Sequence, residues 1–397
     1  MAPVVALALI LLPGSPMKRR DRVSLAIAMS IGAASGLIVA TIYVRVLVSP
    51  TALPGAWEMA KAAWLGASLL LVLRWLDDGV RWLIRKLDQR LRKPDRKRRF
   101  GKLQLVSLSL VRVAFLLGVV MPYAMAAVVT YRPRLAPQAL TPASTLKLPF
   151  ERFEVLTDDS KMIVGWFIPA AVPSRHTVMI CHGQGLGKVD GLSLAGFLHD
   201  ASLNVVLFDF RGHGESDGFR TALGFGDGAD IRAVLDYLRN QKAAQSKSVY
   251  AIGMDTGAAA LVNLLRHTPG LPIKAVALIK PYLSLDELSR DVGNNSLVWP
   301  MSVAMPWATI RYASLQTGFP LYESPGSVDL WPTWVLVLHD MQLGYVGIDR
   351  SMEFYDALLP PKRHSWRIET DPREAYLEAI RSMLIFFLDA DASGPVV

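Results

Sequence analysis

A turn between an apolar run and a helical run carries the residues whose types and spacing could do chemistry. Val249–Ile252 is apolar and rich in residues that favour strands, and Ala258–Leu265 has the composition of a helix. Gly253 and Gly257 flank the apex, where a strained backbone leaves little room for β-carbons. A strand, a sharp turn and a helix with this glycine spacing form a nucleophile elbow, a turn that presents a nucleophile at its apex. The turn Gly253–Gly257 is called the elbow below. Here the apex is Asp255, so a carboxylate stands where a serine hydroxyl would be usual.

Three other groups of polar residues follow predicted strands. His182, Gly183 and Gln184 come after the apolar strand 177–181. His339 ends the apolar strand 333–339, and Asp340 follows it. The motif Asp209–Ser216 begins at the end of a further strand at 204–210, and its residues Arg211–Ser216 follow that strand. Because the carboxyl ends of parallel strands meet at one edge of a sheet, we expect these residues and the elbow to line one crevice.

The elements that position this crevice alternate between strand and helix from residue 150 onward. The segment 150–169 alternates in polarity around a turn and predicts an antiparallel hairpin, and later strands are separated by amphipathic helices. This order predicts an α/β fold with a mostly parallel twisted sheet covered by helices on both faces. The alternation lapses over 282–331, which is rich in Trp, Met and Pro. We expect this insert to form a lid; the alternative is that it only covers the side of the domain or touches a membrane.

The order and spacing of these motifs resemble the α/β-hydrolase superfamily, in its branch of membrane-anchored serine hydrolases, aminopeptidases and monoglyceride lipases. The resemblance covers about 150 to 397, and it includes Pro281–Leu288 after the sixth strand. It implies that the backbone N–H groups of Gln184 and Thr256 form an oxyanion hole. It also assigns structural roles to the following motif residues: His182, Gly183, Arg211, Gly212, His213, Gly214, Gly253 and Gly257.

The side chains of the catalytic triad depart from the pattern of that family. Besides the aspartate at the elbow, the position that matches the triad acid is Leu343, although Asp340 lies near. The triad histidine normally follows the last strand, but 370–374 contains none and His364 is predicted to precede that strand. Two interpretations stay open. The domain is catalytically impaired and serves binding or scaffolding, or it is an active ester, epoxide or haloalkane hydrolase that uses Asp255 as nucleophile.

The second interpretation needs an imidazole to activate water against the ester that Asp255 would form. His182 and His339 are the candidates, with Asp340 nearby. An aspartic protease is disfavoured, because the triplet Asp255–Gly257 occurs once and is followed by a helix. A metal site built from these histidines and aspartates lacks any ligand spacing, and no cofactor is implied. Cys181 is the single cysteine and is expected to be a buried structural thiol.

The net charge of +9 divides unevenly along the 397 residues. Residues 1–149 hold 22 Lys and Arg against 6 Asp and Glu, whereas the remainder holds 21 against 28. The basic charge therefore accompanies the apolar N-terminal stretches, where it indicates positive-inside charge rather than a nucleic-acid surface.

The first 149 residues predict a membrane region. We divide them into a leader or mis-assigned start, three spans, a basic cytoplasmic loop and a linker. The leader covers 1–16, and the spans cover 23–48, 57–76 and 103–131. The loop covers 77–102 and the linker covers 132–149. Arg112 lies inside the third span, so it must face another helix, water or a headgroup. The segment Arg74–Arg92 predicts an amphipathic helix at the membrane interface, or otherwise a solvated linker helix.

Basic residues before the first span and within the loop predict that both are cytoplasmic. With three spans, the domain at 150–397 lies on the outer side of the plasma membrane; with two, because the second is weak, it lies inside. We expect membrane lipids as partners, with a lipid-like or acyl molecule, or a membrane protein, as further candidates.

Overall fold

The structure is a computed structural model. It describes residues 23, 25–37, 56–91, 110–131, 140–296, 301–322, 327–340, 346–359, 363–368 and 372–392. The chain divides into two compact units, Met1–Val120 and Met121–Val397. The predicted leader at 1–16 and most of the basic run before residue 103 lie outside the described residues.

The first unit contains helices α1 (Leu25–Leu37) and α2 (Ala56–Leu91) and the start of α3 (Leu110–Thr130). Helices α1 and α2 approach closely at two glycines. A Cβ added to Gly66 would lie 1.9 Å from the carbonyl oxygen of Gly32. Small residues at a crossing point let backbones approach in this way, which is typical of helix pairs in membranes.

Arg112 has the partner that its apolar surroundings require. Its Nε donates a hydrogen bond of 2.8 Å to Oδ1 of Asp77 on α2, and the second guanidinium nitrogen contacts Oδ2. The charge expected to face another helix is therefore paired with a carboxylate within the same unit.

Among the described residues, α3 is the one helix long and apolar enough to cross a membrane, and α1 is a shorter apolar helix. Helix α2 covers the predicted span 57–76 and continues through the first part of the predicted loop. The apolar positions of Arg74–Leu91 recur at helical spacing, so the chain has no reason to break at residue 76. The count of three spans stays a prediction.

The second unit is built on an eight-stranded sheet. The strands are β1 Glu151–Leu156, β2 Met162–Ile168, β3 His176–Cys181, β4 Asn204–Phe208, β5 Ser248–Met254, β6 Ile273–Ile279, β7 Trp334–Asp340 and β8 Arg363–Ile368. Their order is β1-β2-β4-β3-β5-β6-β7-β8. The first two strands are antiparallel to their neighbours and the other pairs are parallel. The predicted hairpin and parallel sheet are thus both present.

Helices cover both faces of this sheet. They are α5 Leu192–Asp200, α6 Gly228–Gln241, α7 Thr256–His267, α10 Ile348–Ala357 and α11 Pro372–Ala392. Alternate strand residues belong to two cores: Met179 packs with residues of α6, α7 and α10, and Ile180 packs with residues of α5 and α11. Burial on both faces explains why the strands are almost continuously apolar.

The insert predicted over 282–331 contains two helices, α8 (Leu285–Ser296) and α9 (Met301–Thr317). Helix α9 packs against the last ten residues of α3, and a cluster that includes Ala126, Ile310 and Ala259 joins both to the elbow helix α7. The predicted linker at 132–149 contains a short capped helix, α4 (Pro142–Leu146). His364, expected just before the last strand, lies within β8 opposite Leu336, because that strand begins three residues earlier than its apolar pattern indicated.

Candidate active site

Asp255 stands at the apex of the turn between β5 and α7. Its backbone has φ +48° and ψ −111°, a strained conformation for a residue with a side chain. The neighbouring structure holds it there: its N–H donates to the Ile279 carbonyl at 3.0 Å, and its carbonyl accepts from the Ala259 N–H at 3.0 Å. A Cβ on Gly257 would lie 2.2 Å from the Cys181 carbonyl oxygen, so the elbow can close against β3 only with glycine at that position.

The Asp255 carboxylate lies against the loop that follows β3. Its Oδ2 is 2.8 Å from the position that a Cβ would take on Gly183. Gln184 and Thr256, whose N–H groups are the predicted oxyanion donors, belong to this loop and to the start of α7. The carboxylate of Asp255 therefore occupies the side of the turn that faces this loop.

His182 is fixed within the same loop by both ring nitrogens. Nδ1 donates to the Gly183 carbonyl at 2.9 Å, and Nε2 accepts from the Phe210 N–H at 3.0 Å. Burial lowers the pKa of this imidazole, so the neutral ring is favoured. Its geometry suits a structural tie between two loops, because neither nitrogen is left to take a proton from water.

A buried ion cluster joins the same loops. Lys188 lies in the turn Lys188–Gly191, and its ammonium contacts Asp209 and, at 2.7 Å, Glu215. Asp209 also accepts from the Lys188 N–H at 2.7 Å and the Glu215 N–H at 2.9 Å. Burial raises the pKa of Asp209, but the lysine charge and these hydrogen bonds outweigh it, and the net shift is downward. The cluster sets the position of the loop that carries Gly183.

The turn after β4 is held by Arg211. Its Nε donates a hydrogen bond to Asp230 at 2.8 Å, and its Nη1 donates one to Asp159 at 2.8 Å. These bonds hold the turn against α6 and against the β1–β2 hairpin. Gly212 and Gly214 have φ of +74° and +46°, and the Nδ1 of His213 hydrogen-bonds to the carbonyl of Arg211 at 3.1 Å. The motif residues of this turn thus contact one another and neighbouring loops.

His339 and Asp340 end β7, two strands away from the elbow. Register pairs Met254 with Ile279 and Ile279 with Leu338, so Asp255 and His339 occupy the same row of strand tips. Adjacent strands are about 4.8 Å apart, so their backbones are separated by about 10 Å. His339 is buried, and its Nδ1 shares a 2.8 Å hydrogen bond with Ser351 Oγ of α10. Asp340 lies opposite Ile368 in β8.

The side chain of Gln184 contacts the end of α3. Its Nε2 donates to the Val129 carbonyl at 3.1 Å, and the role of its backbone N–H as an oxyanion donor stays a prediction. Thr256 begins α7 and is buried, as is Cys181, whose thiol pKa is raised by burial. The described residues contain no group of three metal-ligating side chains. Leu343 and 369–371 lie outside the described part of the chain.

Comparison with known proteins decides the family. The serine aminopeptidase S33 family matches residues 172–329. The uncharacterized protein MT2364 of Mycobacterium tuberculosis is 30% identical over 225 residues, which is 56% of this chain and 73% of that protein. The chain belongs to the α/β-hydrolase superfamily. The predicted α/β fold and the resemblance to α/β hydrolases are thereby confirmed, and the residues that match the family lie in the second unit.

Two further proteins are similar to this chain, one in sequence and one in structure. The uncharacterized protein YfhR of Salmonella typhimurium is 25% identical over 147 residues, covering 34% of this chain and 50% of that protein. In a crystal structure of the esterase Pf2001 of Pyrococcus furiosus, the matching chain is 22% identical with a TM-score of 0.51. The match covers 66% of this chain and 97% of that one. At this identity, the esterase shows the shared fold alone.

Sequence reasoning did not identify three features of this candidate site. It placed Gly183 and the elbow at one edge of the sheet but did not predict the direct contact between Gly183 and the Asp255 carboxylate, it left Lys188 out, and it did not find Ser351 as the partner of His339. The first two join residues far apart in sequence, and lysine is ordinarily a surface residue. The glycine after His182 was the one available signal of a close approach.

Proposed function

We propose that this chain is a membrane-anchored α/β-hydrolase-fold protein that binds a ligand at its elbow, rather than an enzyme that cleaves acyl compounds through a serine triad. The observation that carries the proposal is the Asp255 carboxylate at the Gly183 loop, with Oδ2 2.8 Å from that glycine's Cβ position. Acyl transfer develops a negative oxygen in this region, and a fixed carboxylate there repels it.

The histidines support the same proposal. Both ring nitrogens of His182 are engaged by the backbone, and the Nδ1 of His339 shares its hydrogen bond with Ser351. Neither nitrogen of His182 is therefore left to take the proton that a serine or aspartyl mechanism transfers, and His339 is held against Ser351 of α10, two strands from the elbow. The domain keeps the strand–turn–helix elbow, and we infer that it serves binding of a lipid-like or acyl molecule, or scaffolding of a membrane protein.

The anchoring part of the proposal is supported by α3, which is long and apolar enough to cross a membrane, and by the paired Arg112. The basic runs at 18–20 and 96–99 favour a cytoplasmic N-terminal region. With three spans, the hydrolase domain is then on the outer side of the plasma membrane.

The test compares the native chain with Asp255→Asn and Asp255→Ser in ester, epoxide and haloalkane turnover. We expect background rates from the native chain and from Asp255→Asn. A native rate well above background that is lost in Asp255→Asn would overturn the binding proposal. A gain of esterase activity in Asp255→Ser alone would leave it standing, since removal of the carboxylate creates the hydroxyl that acyl chemistry uses.

A second candidate is favoured by the strained backbone at φ +48°, which presents the Asp255 carboxylate at the strand tip as a nucleophile would be presented. In that reaction an Asp255 oxygen attacks an alkyl carbon while the carbon–halogen or epoxide carbon–oxygen bond breaks. Halide leaves, or the epoxide oxygen takes a proton, and an aspartyl ester remains. Mass spectrometry after incubation with an alkyl halide distinguishes the two candidates. An added alkyl group on Asp255, absent from Asp255→Asn, would support the nucleophile and count against simple binding.

A further inference from the structure

Helix α9 of the insert is apolar on its exposed side as well as its buried side. Met305, Ile310 and Ala313 are buried, and the latter two belong to the cluster between α9, α3 and α7. On the outer side, Val303 is 53% exposed, Trp307 54% and Leu315 79%. Spacings of four and eight residues place these three on one face of the helix. Arg311 lies between Trp307 and Leu315 on the same face, and an apolar helix face that carries a long basic side chain is typical of a helix at a membrane surface.

This helix runs alongside the end of α3. The rings of Tyr123 and Tyr312 meet edge-on with centroids 5.7 Å apart, and Gln316 Nε2 donates to the Tyr123 carbonyl at 3.1 Å. The buried stripe of α3 in this region is Pro122, Ala126 and Thr130. The contact therefore extends along the last ten residues of α3, or about 15 Å at 1.5 Å per residue.

Hydrogen bonds fasten the end of α3 directly to the hydrolase domain. The Thr221 N–H donates to the Thr130 carbonyl at 2.9 Å, and the Nη1 of Arg220 donates to the Oγ1 of Thr130 at 2.8 Å. Gln184, in the loop beside the elbow, donates to the Val129 carbonyl. The end of the candidate span is thus held against the loops that carry Gln184 and Arg220.

The depth of α9 follows from the length of α3. Its 21 residues extend about 31 Å, which is close to the thickness of the bilayer's hydrocarbon core. A membrane-crossing α3 must therefore keep its last residues within or just outside that core, and the helix packed alongside them lies at the same depth. Arg311, whose guanidinium lies over the rings of Trp307 and Tyr322, has the aromatic neighbours typical of the membrane interface.

We propose that the α3–α9 surface, comprising Met125, Val128, Val303, Trp307 and Leu315, is embedded in the lipid bilayer, with phospholipid acyl chains as its partner. The proposal rests on the membrane anchoring proposed above and adds that the insert itself contacts lipid. Because the end of α3 is hydrogen-bonded to Gln184, the loop beside the elbow then lies close to the bilayer surface.

The single, fully buried cysteine makes a site-specific test practical, because Cys181 in the folded chain is shielded from maleimide. The full chain is reconstituted in vesicles of phosphatidylcholine and phosphatidylglycerol, with an environment-sensitive fluorophore at Val303→Cys or Leu315→Cys. Val172→Cys is the matched control: it is 54% exposed and lies in the β2–β3 connection, at the ends of the parallel strands opposite the elbow. Leu117→Cys within α3 reports on anchoring.

Emission at Val303→Cys and Leu315→Cys is expected to shift to shorter wavelength. Quenching there by doxyl groups on lipid chains should be several-fold greater than at Val172→Cys, with iodide showing the reverse order. If Leu117→Cys is lipid-exposed while both α9 positions behave like Val172→Cys, the inference about the insert fails and the anchoring stands. If Leu117→Cys is also water-exposed, the anchoring fails and the inference fails with it.

Discussion

The Oδ2 atom of Asp255 lies 2.8 Å from the position of a Cβ on Gly183, whereas the next nearest atoms around that position are 3.4 Å away. The elbow carboxylate and any side chain at position 183 would therefore need the same space. This contact makes the two residues energetically dependent on each other.

Gly183→Ala is expected to destabilise the native chain by about 1–3 kcal/mol, since the added methyl group overlaps the carboxylate. In an Asp255→Ala background the same substitution should cost distinctly less, because the remaining neighbours are at ordinary contact distances. A double-mutant cycle of unfolding free energies in detergent measures the coupling. An equal cost in both backgrounds would show that the two side chains do not share the space.

Asp255→Gly is expected to be more stable than Asp255→Ala by about 1 kcal/mol, because glycine relieves the strain at φ +48° that alanine retains. The comparison removes the carboxylate from both proteins and leaves the backbone as the difference. The midpoints of thermal unfolding in detergent provide the measurement. A more stable alanine variant would mean that the elbow backbone relaxes once the aspartate is gone.

Local signals were sufficient for the elbow and insufficient for its surroundings. The change from apolar strand to helix around Gly253 and Gly257 is contained in ten residues, so the apex could be placed from sequence. The Lys188–Asp209 pair joins residues 21 apart in the chain, and no local pattern marks a lysine that will be buried. The predicted span 57–76 and the predicted helix Arg74–Arg92 form the single helix α2, because the charges after residue 76 indicate a membrane boundary but do not end a helix.

His182→Ala is expected to lower the unfolding free energy by about 1–3 kcal/mol, because the buried Phe210 N–H loses its acceptor. Burial lowers the pKa of His182 in the folded state, so below about pH 6.5 the unfolded chain binds the extra proton and the native contribution declines. The difference between the native chain and the variant should therefore be largest near pH 8 and shrink toward pH 5. The exposed His267→Ala on α7 is the control and should change little; a pH-independent difference would contradict this account.

Asp209→Asn is expected to destabilise the chain by about 3–5 kcal/mol, because it leaves the buried Lys188 ammonium with less compensation. The second substitution Lys188→Met should recover part of the loss, since it removes the unpaired charge. The native pKa of Asp209 is lowered, so its contribution is present above about pH 4 and is lost as the pH falls through the folded-state value. Asp200→Asn, on an exposed carboxylate, serves as control. A double variant less stable than Asp209→Asn would argue against charge burial as the cause.

Asp227→Asn is expected to stabilise the chain at alkaline pH. Burial, and next the charge of Asp230, raise the pKa of Asp227 to about 7, although the Gly224 N–H donates to it at 2.8 Å. The folded state therefore holds a proton that the unfolded chain releases near pH 4, and native stability falls as the pH rises from about 4 to about 7.

Asparagine keeps an acceptor for the Gly224 N–H and cannot ionise, so the gain in unfolding temperature over the native chain should grow from pH 5 to pH 8. Asp236→Asn, on the exposed side of the same helix α6, should show no such growth. A constant difference across this range would mean that Asp227 is already ionised in the folded state at pH 5. The segment from Gly224 to Asp227, which packs on the first turn of α7, would then carry a fixed charge behind the elbow.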